Sequence, residues 1–529
     1  MRLTTLLSVA SWAATAFASS AAIDAEAVCA QLLKQYPENL AWDVLGRHAL
    51  ETARNAGKYI EANTKYWNGV NKNNRPTCAF FPSNAEQVST AVKLLNKYSD
   101  AQFALKSGGH NFNFGISSTD GGVLLSFNQN LASVTRSKDG EAFHVGPGAR
   151  WGDVYEVTSK TNQVVVGGRL GNIGVAGFAL GGGLSYYSSQ YGLTCDNIID
   201  AEVVLPNGTI THANSKTNPD LWWALKGGGN RFGIVTQFTL KAHPLGVNGK
   251  IWGGIRIYKA EDRPALFKAL ADFIREYPDP KAAVIPTFNF GLPGSIISLP
   301  MVFFFYDGPV PPPGAFSYLD AIKPQQDSTG TKTYIDLTSE AGGGGINGMN
   351  AAAHVNTFPN MPAAQMSELF DIHWELYQSK TRNDSSKSLD IQISTFALQP
   401  ISVRISKASE KAGRNALGLK PEHGDRVWVE NDIIWINPAC NEACPEALHD
   451  LSDMIKDEYM TRFHGVEPTN YQSGDVDFIS TNPLFMNDAA DYQDVYTSYG
   501  KESKERLQQI AEKYDPDGFM NRQGGWQLW

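Results

Sequence analysis

Two textures of apolar and polar positions divide the chain. From about residue 77 to 245, short apolar runs alternate with helical stretches. The spacing Ser83 to Glu86 is that of a capping box, and the amphipathic pattern after it predicts a helix through about Lys97. Strands are predicted at Phe103–Ser107, Gly122–Phe127, Phe143–Val145 and Val164–Val166, with a helix at Trp151–Lys160. The runs Ile198–Leu205 and Thr209–Ala213 flank Asn207 and Gly208, a hairpin-turn signal. A helix at Pro219–Leu225 and a strand at Ile234–Leu240 complete this α+β unit.

Beyond about residue 250 the apolar runs become aromatic. Trp252–Tyr258, Met301–Tyr306, Asp390–Phe396 and Val427–Asn437 read as strands, and Pro264–Tyr277, Met366–Gln378 and Pro445–Phe463 as helices. The expected architecture is α+β, an antiparallel sheet with helices on one face. Proline at 309–313 and glycine at 342–345 mark long loops, and no internal repeat is visible.

Length and composition sharpen this picture. The 529 residues exceed what one core of about 250–300 residues serves, so two domains, or one domain with a large insertion, are expected. A chain that is 42% hydrophobic and 19% charged is neither disordered, coiled-coil nor collagen-like. The net charge of −9 argues against the basic field of a nucleic-acid binder, while leaving room for a local basic groove. At the N-terminus, Arg2, the apolar run Leu3–Ala14 and the small residues Ala16 and Ala18 fit a signal peptide over 1–18. No later stretch offers 18 uncharged apolar residues, so a secreted protein without membrane association is expected.

In an oxidising compartment the five cysteines are expected to pair. Cys440 and Cys444 are near enough to pair locally; Cys29 and Cys78 would then staple the N-terminal helix to the next element, leaving Cys195 buried and alone. No second Cys/His pair stands at ligand spacing, so no metal site is expected. Asn207 and Asn383 each begin a glycosylation sequon.

Glycine carries the most specific chemical signal. The G-x-G-x-x-G spacing at 343–348 lacks the strand and helix of a dinucleotide turn, and Pro359 and Pro362 interrupt the stretch after it. Two other clusters are better placed: Gly108 and Gly109 after a strand, and the run from Gly174 to Gly183. Such backbone can approach a pyrophosphate closely and line it with N–H groups. His110, directly after the first cluster, is placed to be a base or a covalent attachment point.

Five segments in this order resemble the FAD-binding domain of the vanillyl-alcohol-oxidase/PCMH superfamily: PSNAEQV (82–88), KSGGH (106–110), GVAGFALGGG (174–183), YGLTCDN (191–197) and ALKGGGNRFGIV (224–235). The tail, with Tyr514, Asp515 and Pro516, is similar to that of the berberine-bridge-enzyme-like branch, in texture its secreted fungal members. The resemblance implies a two-lobed FAD-binding domain over 77–245 after a helical segment at 19–76. A substrate domain would cover 246–480, and 481–529 would return to the FAD domain. It implies FAD contacts from Ser107, Gly108, Gly109, His110, Asn111, Gly115, Ile173, Gly174, Gly177, Gly181, Gly182, Ile234 and Asn487. His110 matches the family's flavin-linked histidine. The position of a second, cysteine link is Leu170, so a monocovalent FAD is expected. Ile173 stands where residue bulk is linked to oxygen access, which leaves oxidase and dehydrogenase both open. Asp488, after Asn487, stands where plant-type members carry tyrosine and is the leading candidate for a catalytic base; Glu430, Asp432 and Tyr471 rank behind it. The implied reaction takes a hydride from a C–H next to oxygen or nitrogen of a small molecule. Oxygen or another acceptor would reoxidise the flavin. Oxidative ring closure, oligosaccharide oxidation and a binding protein that has lost turnover are the alternatives.

Overall fold

The computed structural model describes residues 20–291, 299–340, 348–383 and 389–529. The proposed signal peptide and the glycines at 342–345 lie outside these residues, as does the side chain of Asn383.

Three sheets organise the described chain. The first has four short strands in the order Leu40–Trp42, Cys78–Phe80, Val123–Ser126 and Phe103–Lys106. The last three run parallel, and Leu40–Trp42 joins antiparallel. Alternation places Cys78, Phe80, Phe103, Val123 and Leu125 on one side, under the helices Ser20–Gln35 and Ala85–Lys97. Ala79, Ala104 and Leu124 face the other way, onto Tyr59 and Ala62 of the helix Ala56–Thr64. Both faces are covered, so these strands are almost continuously apolar. A disulfide joins Cys29 on the first helix to Cys78.

The second sheet is antiparallel and built around the long strand Ile234–Pro244, which pairs with Ala142–Val145, Gln163–Val165 and Ile198–Val204. The hairpin at Asn207 and Gly208 adds Ile210–Asn214, with Gly208 at φ +82° and Asn207 exposed.

The third sheet has eight strands, all antiparallel. Ala282–Phe290, Ile391–Ile401, Arg426–Trp435 and Asn350–Pro359 lie side by side in it, the last at the sheet edge. Val427, Val429, Ile433 and Trp435 point toward the helices Arg263–Glu276, Ala363–Gln378 and Ala443–Arg462. Trp428, on the alternate face, packs into the core of the glycine-rich domain. Cys440 and Cys444 form a second disulfide, and Cys195 is free and buried.

Two of these strands, Ala282–Phe290 and Asn350–Pro359, are missing from the sequence pattern. The first contains Pro286, which normally argues against a strand. Here Pro286 has a neighbour on one side only, Val302; the second partner joins from Thr287 onward. The N-cap also moves by one residue. Asn84, not Ser83, accepts the backbone N–H of Gln87 at 2.9 Å, while Asn39 donates to the Ser83 hydroxyl at 2.8 Å and occupies it. The Gly174–Gly183 run is not wholly loop: Val175–Leu180 is helical, with Gly174 as its N-cap.

Candidate active site

The glycine clusters meet through their backbones. A Cβ on Gly108 would lie 2.6 Å from the N and Cα of Gly174, and one on Gly174 would strike Gly108 in return. Arg150 locks the junction by donating to the Gly108 carbonyl at 2.8 Å and also to the Asn172 carbonyl. Ser107 donates its hydroxyl to the Pro147 carbonyl at 2.5 Å, and Asn111 accepts the Asn113 N–H at 2.8 Å. Gly115 and Gly177 are different, since a Cβ on either would meet nothing within 4 Å. One side of the cradle is closed by backbone and the other is open.

His110 follows directly on the first cluster. Its ring lies 5.4 Å from that of Trp67, and Trp67 donates its backbone N–H to the Gly109 carbonyl at 2.9 Å. The imidazole Nε2 is buried without a hydrogen-bond partner. Burial first, and the Arg150 charge second, push the His110 pKa down to about 3, so the ring is neutral. Lys106 is buried beneath the same turn, its Nζ 3.6 Å from the Tyr66 ring centre, and burial lowers its pKa to about 7.

The C-terminal segment closes over the second cluster. Asn487 accepts the Gly183 N–H at 3.0 Å and donates to the Gly177 carbonyl at 3.1 Å. A Cβ on Gly181 would lie 2.6 Å from the Asn487 amide nitrogen, so this contact requires glycine. Asn113 donates to the Ala489 carbonyl at 2.9 Å, and Trp526 to that of Ala490 at 2.9 Å. Arg231, almost fully buried, binds the Met520, Gly524 and Trp526 carbonyls and anchors the tail. Phe485 stacks on Trp428 at 4.3 Å, which seats the segment against the third sheet.

That sheet supplies the polar wall. Register places Asn289, Thr395, Asp432 and Ala353 in one row across it, and Thr287, Ala397, Glu430 and Val355 in the next. Gln399 comes next on the same face. It donates to Asp488 Oδ2 at 2.7 Å and accepts from Arg169 at 2.5 Å, joining sheet, tail and glycine-rich domain. Burial raises the Asp488 pKa to about 6, against the opposing pull of Gln399 and Arg169. Glu430 and Asp432 are held well above the carboxylate range, by burial first and by the Asp488 charge second. Asp432 Oδ1 and Asn289 Nδ2 are buried without partners.

The other expected residues divide. Glu430 and Asp432 gather with Asp488, whereas the Tyr471 hydroxyl donates at 2.8 Å to the Gly474 carbonyl in its own turn. Ile173 is partly buried against the core beside the cradle, and Gly182 packs toward Leu417 and Phe485. Ile234 is 2% exposed and packs in the four-stranded sheet's core. Trp67, Asn113, Arg150, Arg169 and Gln399 carry no signal in the sequence pattern. Each acts through contacts between distant segments, which no local motif marks. Among the described residues no cluster of three or more His, Cys, Asp or Glu is arranged for a metal, and no helix is long and apolar enough to cross a membrane.

Residues 76–214 match the model of an FAD binding domain family. An FAD-linked oxidoreductase of Arthroderma benhamiae is 31% identical over 90% of this chain and 91% of its own length. An FAD-dependent monooxygenase of Aspergillus calidoustus is 30% identical over 89% of this chain and 86% of its own. Among solved structures, 6-hydroxy-D-nicotine oxidase from Arthrobacter nicotinovorans superposes with a TM-score of 0.71 at 19% identity, over 93% of this chain and 98% of that one. Glucooligosaccharide oxidase from Acremonium strictum, whose FAD is 6-S-cysteinyl and 8α-N1-histidyl, does so at 0.66 and 19% identity, over 90% and 95%.

Proposed function

The chain belongs to the FAD-linked oxidoreductases, and from that membership we propose a secreted enzyme of the berberine-bridge-enzyme-like branch that oxidises a C–H bond next to oxygen or nitrogen in a small organic substrate. One observation carries the reading: a neutral imidazole with an unpartnered buried nitrogen beside the paired glycine clusters, in a chain whose glycine-rich domain is joined through Arg169 and Gln399 to Asp488, itself the neighbour of two further carboxyl groups. The cradle fits FAD, since Gly115 and Gly177 leave the room and His110 presents a free buried nitrogen. Bound FAD supplies a two-electron acceptor, with oxygen or another oxidant to regenerate it.

The protein's own residues do the rest. His110, kept neutral by burial, has the lone pair needed to bond the flavin 8α-carbon. A second link has no thiol to form it: Leu170 stands at that position, and burial raises the Cys195 thiol far from reactivity. This disfavours a doubly linked sugar oxidase. Asp488, with a pKa near 6, is ionised at neutral pH and takes the substrate proton on a carboxylate oxygen. Glu430 and Asp432 stay protonated beside it and, with Asn289, hydrogen-bond the substrate's heteroatoms. Oxidation followed by ring closure, or by oxygen insertion of the kind named for the fungal monooxygenase relative, would use the same groups.

Anaerobic mixing with a panel of alcohols, amines and phenols tests the reading. At least one donor class is expected to bleach the flavin absorbance, and Asp488→Asn to slow it without loss of colour. A yellow protein that no donor bleaches would indicate a flavin-binding protein without turnover.

A further inference from the structure

On another face, the helix Val403–Lys411 and the turn at 189–197 flank a half-open cavity of about 340 Å³. Arg404, Lys407 and Lys411 recur at helical spacing along its rim, and Lys241 faces them from the strand Ile234–Pro244. All four are exposed, and none forms an ion pair among the described residues. The neighbouring carboxylates are already engaged. Asp196 is buried and accepts from the Leu193 N–H, Ser409 and Asn415, with Lys226 Nζ at 3.9 Å. Asp307 accepts from Gln190 and from the Gly246 N–H, and Glu410 pairs with Arg414 at 2.6 Å. Four cations therefore surround one cavity uncompensated, in a chain whose net charge is −9. The floor is aromatic: the Tyr191 and His243 rings stack at 3.8 Å, and His243 Nε2 is held 2.8 Å from Asn197 Oδ1.

We propose that this cavity is a binding site for a small multivalent oxyanion, a polycarboxylate or a phosphate. Its volume suits a compact molecule rather than a polymer. Such an anion would replace cation–cation repulsion with charge-assisted hydrogen bonds from both sides. Because Lys241 and His243 belong to the glycine-rich domain's sheet and the other cations to a helix placed directly after a strand of the third sheet, the ligand would also tie the two domains together.

The test is calorimetric titration of the holoenzyme with citrate and, separately, with inorganic phosphate, against sodium chloride at matched ionic strength. Saturable one-site binding of either oxyanion is expected, with a rise in Tm. A citrate-only response identifies a polycarboxylate site and a phosphate-only response a phosphate site. The Lys407→Gln/Lys411→Gln double variant should lose affinity on the order of ten-fold while its flavin spectrum stays unchanged. Lys501→Gln, on a different helix, should bind as the parent does. The His243 ring provides a local probe. Burial and Lys241 hold its pKa near 4, and a bound anion should raise it. Heats no larger than those of chloride, or a double variant that binds like the parent, would overturn the site.

Discussion

The glycine-rich domain and the carboxyl wall are joined through Arg169, Gln399 and Asp488, but the glycine cradle and the wall are built in opposite ways. The cradle is local. Gly108, Gly109 and His110 are consecutive, the second cluster is one short run, and their contact is backbone against backbone. The wall is assembled by register. Asn289, Thr395 and Asp432 come from three strands, Asp488 from a later segment, and Arg169 reaches in from the other domain. Binding machinery made of main chain leaves a motif, whereas acid–base machinery made of buried side chains leaves scattered polar residues whose pKa values depend on the finished fold.

The largest expected effect lies on the wall. Asp488→Asn should lower kcat by about 10²–10⁴-fold, the usual worth of general base catalysis, with the flavin spectrum intact. Glu430→Gln keeps a hydrogen-bonding group and should lose less. An equal fall, or none, seen in stopped-flow reduction would move the base away from Asp488.

Next come the staples. Cys29–Cys78 closes a loop with a sequence separation of 49 under the cradle lobe, and Cys440–Cys444 one of 4 at the start of the helix Ala443–Arg462. From chain entropy, the double serine variants should lose about 4 and about 2 kcal/mol respectively. Reversible denaturation, where attainable, measures both, and the reverse ranking would refute the entropic account.

Two glycine substitutions separate packing from cofactor contact. Gly174→Ala forces backbone apart and should lower stability by about 1–3 kcal/mol as well as flavin content. Gly177→Ala meets no atom and lies within a helix, so stability should hold or rise by about 0.5–1 kcal/mol. Its flavin content alone should fall. Thermal unfolding alongside absorbance of the purified protein distinguishes the two.

The smallest effect is a shift in pH profile. Asp488 must be ionised to accept a proton, so kcat/KM should rise with pH through about 6 and then level. Arg169 favours the ionised form; Arg169→Met should therefore move the rise to higher pH. The linked stability has the opposite sign. The folded state holds the Asp488 proton more tightly than the unfolded chain, so this group's contribution falls as pH rises from about 4 to about 6.

Much of the fold is legible in the chain because local rules agree with it. The helix Pro219–Leu225, the hairpin at Asn207 and Gly208 and the helices covering the third sheet all arise from proline, turn residues and apolar period. The rest is decided at a distance. Pro286 is tolerated because one side of its strand is free there, and Asn84 caps a helix because Asn39, far earlier, has taken Ser83. Glu430 and Asp432 are visible in sequence, yet only the pleat of their strand turns both toward Asp488, and only burial raises their pKa values. Trp67 against His110 carries no signal at all until residues 43 positions apart meet.

Acid precipitation of the purified protein tests the central claim most directly. A yellow protein whose colour stays with the pellet is expected, and a His110→Ala variant whose colour moves to the supernatant. Colour released from the parent protein would contradict the His110 bond, and a folded but colourless protein would contradict the flavin site itself.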